Sequence, residues 1–462
     1  MFYKELNIFL APFDILKDAV APTAFHDSGE RVDPPKCHPN TRVAVLEKIM
    51  NWIQRSDAET KDRYIMWLTG AAGAGKTAIA QSFIELCLQR GLVVASFFFG
   101  RSDGSRNHAR ALIATLVYQI YRLVPEVQNK ILSVIDEDPL ILTKTMEHQF
   151  MYLIMKPLHS VCSSGTPWAY GSHCCLIIDG LDECHDREVQ QHILRMISSS
   201  IHKIKLPILF LVASRPEHEI KLEFASPQMD GIHARLYLDD TYKPLDDIRT
   251  YLQDSFETIR TGHPYKSRIP VVWPTNDTVE RLVKKSSGQF IYAATVIRYV
   301  QSIRHLPHHR LETTMNLRPA QGDLPFAQLD ALYAMILSSA ADIDRVLYAI
   351  SIYLHNVVQT NPRIYDSFDI EQFMSLDAGE LDILFCDLGA LVSIESTTLL
   401  LYDTNVKLTK NLRILHASLY DFLSDPMRSK EYFIDTDTYR PKHVVNVLRF
   451  VTSPLGVIFF CL

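Results

Sequence analysis

Four short and almost uninterrupted apolar runs stand out along the chain: YIMWLT (64–69), LVVASFFF (92–99), CCLIID (174–179) and LPILFLVAS (206–214). Between them, apolar positions recur at helical spacing, in AIAQSFIELCLQR (78–90) and over about 108–123, 145–161 and 187–200. Continuous rather than alternating strands, separated by helices, predict a parallel sheet covered on both faces, an α/β domain. VAVLEKIMNWI (43–53) puts its apolar residues on one helical face ahead of the first strand. Past residue 240 the pattern is helical in PLDDIRTYLQDSFETIR, TVERLVKKSSGQFIYAATVIRYV, PFAQLDALYAMILSSA and DRVLYAISIYL. Two apolar runs, LVSIES (391–396) and LLLYD (399–403), predict the arms of a hairpin before LRILHASLYDFLSD, a winged-helix-like ending. Residues 1–20 have the pattern of an amphipathic helix, and the Pro-, Asp- and Ser-rich stretch 21–42 that of an extended linker.

The expected organisation is therefore an N-terminal segment and linker (1–42), an α/β domain (43–240), a helical domain (241–340), a winged-helix-like domain (341–435) and a terminal segment (436–462). No internal repeat of propeller or solenoid period is visible.

The first strand runs into Gly70-Ala71-Ala72-Gly73-Ala74-Gly75-Lys76-Thr77-Ala78. Gly-x-x-x-x-Gly-Lys-Thr between a strand and a helix is a phosphate loop. Backbone N–H groups of the turn and the helix N-terminus make a nest for phosphate oxygens. Lys76 neutralises the β/γ-phosphates and the Thr77 hydroxyl ligates Mg²⁺. The run CCLIID places Asp179 at the C-terminal edge of the sheet, where a carboxylate holds Mg²⁺, usually through water. Asp182 and Glu183 follow, and Glu183 is the favoured residue to polarise an attacking water. LPILFLVAS delivers Ser214 and Arg215 to the same edge, with Arg215 a candidate sensor of the γ-phosphate.

Composition narrows the function further. The 462 residues are 47% hydrophobic and 22% charged, an ordinary globular balance, and the net charge of −6 excludes a chain-wide basic field for nucleic acid. Eight scattered cysteines form no disulfide framework, and adjacent Cys174 and Cys175 on a buried strand read as core thiols rather than zinc ligands. An intracellular, cytoplasmic setting follows from this cysteine usage and from charges throughout the first 20 residues. The apolar terminus at 451–462, interrupted by Pro454, is too short for a spanning helix, so no stable membrane anchor is expected. Lys284 and Lys285 read as a solvated helix face, the Pro-His-His at 307–309 as a loop, and Phe97–Phe99 as core strand.

With these residues in place, the chain resembles fungal NACHT-domain proteins of the signal-transducing ATPase (STAND) class. These are relatives of the NOD-like receptors of animal innate immunity, with a nephrocystin-3-like N-terminal region. The resemblance spans about 35–425 and rests on CHPNTR, WLTGAAGAGKTAIAQ, ASFFFGR, LIIDGLDEC, VASRPEHEI, SSGQFIYAATVIRYV and ILHASLYDFLSD. It implies a switch that carries ATP or ADP, in preference to GTP, with Mg²⁺. The ADP form is closed; exchange for ATP opens the chain and permits self-association or contact with other signalling proteins. By the same resemblance His416 sits where a winged-helix histidine touches the ADP phosphate, and Thr41 and Arg42 sit where the segment before the first helix helps hold adenine. Family members usually carry sensor repeats after the switch region and an effector before it. Neither is recognisable here, as expected of a truncated product, a fragmentary gene model or an adaptor.

Two rival readings share the phosphate loop. One is a conventional AAA+ or P-loop enzyme such as a small-molecule kinase, with the 163–173 loop as its lid. The other is a DNA-bound ATPase that reads DNA with its winged helix, against which stands the lack of basic charge near 391–425. Nucleic acid is accordingly not an expected partner.

Overall fold

The computed structural model describes residues 11–29, 34–101, 103–163, 174–204, 206–316, 326–354, 369–400 and 406–452. The chain divides into two compact units, one of residues 1–71, 75–101 and 105–242, the other of 72–74, 102–104 and 243–462.

In the first unit, β1 (Ile65–Thr69), β2 (Val93–Phe98), β3 (Cys174–Asp179), β4 (Ile208–Ser214) and β5 (His233–Tyr237) form a five-stranded sheet in the order β2-β3-β4-β1-β5. Every neighbouring pair is parallel. Strands β1 to β4 are buried at each position, so successive side chains, which point to opposite faces, meet packing on both sides. Ile65 and Trp67 belong to the core on one face, with Ile120 and Leu153. On the other face the helix Lys76–Gln89 lies against β2, β3 and β4. This is the parallel sheet, covered on both faces, that the apolar runs predict.

The sequence reading misses β5. Of its five residues HARLY only Leu236 is buried, because β5 is an edge strand, and an exposed edge needs no apolar run. The stretch 21–42 also differs from an extended linker, since Ala21 and Ala24 lie in the core with Leu16 of the helix Pro12–Asp18.

The second unit carries the helices Pro244–Gly262, Asn276–Ser286, Phe290–Val300, Pro307–Asn316, Ala327–Leu337 and Ile343–Leu354 around one apolar core. An antiparallel hairpin follows, β6 (Val392–Leu400) with β7 (Val406–Ile414), and then the helix Ala417–Leu423. β7 packs on the helices Ile343–Leu354 and Ala417–Leu423, the winged-helix-like arrangement. The hairpin arms differ from the expected ones. Val392–Ser396 of the first run and Leu399 and Leu400 of the second fall on β6, residues 401–403 of the expected second arm lie outside the described residues, and the second arm is the alternating VKLTKNLRI. Alternation is what a half-buried antiparallel strand requires, so apolar runs were the wrong guide there. Pro307-His308-His309 begins a helix instead of forming a loop, since proline's fixed φ and missing N–H suit a first helical turn. The candidate lid at 164–173, the terminus at 453–462 and residues 1–10 lie outside the described residues. Among the described residues no helix is long and apolar enough to cross a membrane.

Candidate functional site

The loop after β1 turns through left-handed backbone at Gly73 (φ 73°) and Gly75 (φ 91°), conformations that glycine adopts without steric cost. Gly75 is the N-cap of the helix Lys76–Gln89 and offers no side-chain cap, so the first-turn N–H groups open toward the loop. Lys76 folds back over this turn, its Nζ donating to the carbonyls of Gly70 (2.9 Å) and Ala71 (3.0 Å). Thr77 and Ala78 continue the first helical turn.

Strand order brings the other candidates to the same sheet edge. β4 lies between β1 and β3, with Thr69 level with Ser214 and Asp179 level with Ala213. The ends of β1 and β3 are thus two strand spacings apart, about 10 Å. Asp179 is 2% exposed, and the Thr69 hydroxyl is buried with no hydrogen-bond partner. Ser214 is tied to β1 by the indole N–H of Trp67, which donates to its Oγ at 2.8 Å.

Beyond Asp179 the chain turns at Gly180 (φ 69°) into a single 3₁₀ turn, Leu181–Glu183. A Cβ at residue 180 would meet the carbonyl of Phe99 at 3.4 Å in a backbone geometry that L side chains avoid. The turn aims two carboxylates in different directions. Asp182 takes Arg215, accepting from its backbone N–H at 2.9 Å and pairing with its Nε at 3.2 Å. Glu183 accepts from the backbone N–H of Arg101 at 3.1 Å, while the Arg101 guanidinium donates to the carbonyl of Asp182 at 3.2 Å.

These surroundings set the protonation chemistry. Burial, then the charge of Asp182, raises the pKa of Glu183 to about 7, against the opposing pull of the Arg101 N–H and of Arg215. Lys76 is pushed down by burial, with Asp182 the largest opposing influence and Arg215 adding to the fall. Glu183 is therefore poised to exchange a proton near neutral pH, whereas Arg215 is held by Asp182. Arg101 escaped the sequence reading as a site residue. The signal was its place three residues past the end of β2, beside the predicted β3 edge.

The remaining candidates separate. Thr41 donates its hydroxyl to the carbonyl of His38 (2.7 Å), and Arg42, buried with left-handed backbone, stands at the N-cap position of the helix Val43–Ile53 without a side-chain cap. That helix packs against Lys76–Gln89, and the segment before it is tied there by Cys37 N–H to Ser82 Oγ (2.9 Å) and by Lys36 with Glu85 (2.7 Å). His416 belongs to the second unit, where it caps the helix Ala417–Leu423. Its Nδ1 accepts from the Ser418 backbone N–H at 3.0 Å and contacts Ser418 Oγ at 2.7 Å, and that hydroxyl meets the Tyr333 hydroxyl at 2.7 Å. Nδ1 is thereby an acceptor, which places the proton of a neutral ring on Nε2.

Residues 43–215 match the model of the nephrocystin-3 N-terminal family. No curated protein matches the chain. Among solved structures, the Aeropyrum pernix ORC1 protein in complex with DNA aligns with 88% of this chain and 95% of its own, at 12% identity and a TM-score of 0.35. Drosophila ORC bound to DNA aligns with 81% of this chain and 93% of its own, at 12% identity and a TM-score of 0.36. At these values neither structure assigns a role to any residue here.

Proposed function

We propose that the chain is a nucleotide-operated switch of the STAND type, binding ATP or ADP with Mg²⁺ and hydrolysing ATP slowly to reset. The observation that carries this reading is the convergence on one sheet edge of the glycine-rich turn, Lys76 and Thr77 with the carboxylates of Asp179 and Glu183. The donor set suits the metal, since a threonine hydroxyl and an aspartate carboxylate are hard oxygen ligands of the kind magnesium takes. Magnesium, when bound, supplies positive charge against the phosphate oxygens. The backbone of residues 70–76 and Lys76 hold the phosphates, Thr77 and Asp179 hold the metal, and Glu183 orients a water and accepts its proton.

Slow turnover fits the pairing of Arg215 with Asp182, because an arginine already engaged by a carboxylate is less available to transition-state charge. The domain scheme is then a NACHT domain over 43–240, a helical domain over 241–340 and a winged helix over 341–435. His416 is the proposed contact to the ADP phosphate in the closed state, and Thr41 and Arg42 are proposed to line the adenine end. ADP-closed and ATP-open states would control self-association. Against a DNA-reading winged helix stands the engagement of two of the hairpin's cations by carboxylates. Lys410 meets Glu371 (3.1 Å) and Asp382, and Arg413 meets Glu395 (3.0 Å).

Native mass spectrometry of the freshly purified chain tests the proposal. Wild type should retain ADP or ATP, and Lys76→Ala should retain none; equal nucleotide content in the two overturns it.

A further inference from the structure

A second cationic site lies in the helical unit, where the sequence suggests only a solvated face. A cavity of about 370 Å³ is lined by Arg281, Lys284, Lys285, Ser287, Gln289 and Tyr292, together with Ala327, Gln328 and Leu329 at the start of the helix Ala327–Leu337, whose next residue, Asp330, is paired with Arg428 at 2.7 Å. Among the described residues that line it, none is acidic. Arg281, Lys284 and Lys285 stand at i, i+3 and i+4 of the helix Asn276–Ser286, so their charges share one face and repel. The nearby Glu280 is engaged by Arg249 at 2.6 Å. Lys285 is half-buried and anchored by the last carbonyls of the helix Pro307–Asn316, its Nζ donating to Thr314 (3.2 Å) and Met315 (3.1 Å). Its pKa is lowered by burial and by Arg281.

Two helices begin at this cavity, Phe290–Val300 and Ala327–Leu337, and neither N-cap residue, Gln289 or Phe326, supplies a side-chain cap. The helix dipoles add to the three side-chain cations, while the Ile291 and Tyr292 N–H groups are donated to the carbonyls of Gly73 (3.4 Å) and Gln289 (3.2 Å). Like charges held around a cavity with no carboxylate among its described lining residues favour a counter-charge, and the volume exceeds what a single phosphate fills.

We propose that this cavity binds a small polyphosphorylated anion, held by Arg281 and Lys284 with Lys285 and the two helix starts behind them. The site is separate in sequence from the glycine-rich loop and takes its ligand without a metal-holding carboxylate. Its failure and that of the nucleotide reading are therefore distinguishable.

Sodium tripolyphosphate is the probe, titrated calorimetrically into the full chain saturated with ADP and Mg²⁺, and into Lys76→Ala. Saturable binding in both is expected, weakened at least tenfold in Arg281→Gln/Lys284→Gln, whose thermal midpoint and ADP content stay at wild-type values because both side chains are exposed. Vesicles carrying a bisphosphorylated inositol lipid form the second arm. Displacement of tripolyphosphate by them identifies a headgroup as the source of the phosphates, and no displacement identifies a free anion; both keep the site. Binding that vanishes in both the ADP-saturated chain and Lys76→Ala, or that survives undiminished in the double variant, overturns it.

Discussion

Lys76 and Lys285 make the same local contacts in different company. Each donates to two successive main-chain carbonyls, Gly70 and Ala71 for one, Thr314 and Met315 for the other, and each is pushed down in pKa by burial. Around Lys76 the sheet edge collects Asp179, Asp182 and Glu183; beside Lys285 stands Arg281, and no acid is among the described residues of the cavity wall. A lysine with carboxylates near it suits an anion that arrives with a divalent cation, since those carboxylates would otherwise repel it. A lysine among cations suits the anion alone. Anchoring by carbonyls does not separate a structural lysine from a binding one; the sign of the second layer of charge does.

The largest effect that would break this comparison is at Lys76. Lys76→Ala should lower nucleotide affinity at least a hundredfold, read as lost ADP on purification, while Lys285→Ala keeps its nucleotide. A loss of nucleotide in both would make the two lysines equivalent and remove the contrast.

Next is Glu183, the carboxylate that gives the first site its basic group. Glu183→Gln should reduce single-turnover hydrolysis by about 10²- to 10³-fold, within the range of general-base catalysis, with ATP affinity unchanged. An unaltered rate would move the role to another residue of the edge.

The same variant reports the buried charge through stability. The folded pKa of Glu183 is about 7 against an ordinary 4.5, so the folded state holds the proton more tightly. Its stabilising contribution is complete below pH 4.5 and is lost as pH rises through 7. Gln has no such loss. Thermal melts of the nucleotide-free protein should therefore show wild type falling relative to Glu183→Gln between pH 4.5 and 7, by about 1–3 kcal/mol in total, with parallel curves above pH 8. Parallel curves throughout would mean that Glu183 is solvated.

What the sequence made legible follows the same division. Gly70 to Thr77, Asp179 and the four buried strands were readable because a phosphate loop and a doubly covered sheet each require particular residues in consecutive positions. β5 was not, because an edge strand with one buried side chain has no such requirement. The β7 arm was missed for a related reason, its signal being alternation rather than a run. Arg101 and the Asp182–Arg215 pair join residues 81 and 33 positions apart, and nothing local announces them. Lys284 and Lys285 were legible as a charged helix face, but not as a cavity wall. Only the packing of the 307–316 and 327–337 helices shows that Lys285 has carbonyl partners and that the described residues lining the cavity include no acid.

The smallest effect sharpens the comparison through salt. Lys285→Met removes two charge-assisted hydrogen bonds, to Thr314 and Met315, and also removes repulsion with Arg281. The first change destabilises and the second stabilises, so the net cost at low ionic strength should be about 1 kcal/mol, a thermal shift of a few degrees or less. Raising salt shortens the Debye length to about 3 Å at 1 M and screens the exposed Lys–Arg repulsion, while the short bonds to carbonyl oxygens persist. Wild type then gains more from salt than the variant does, and the gap between their melting temperatures should widen from 0.05 to 1 M NaCl. A gap that narrows instead would mean that a carboxylate, and not an arginine, dominates the field at Lys285.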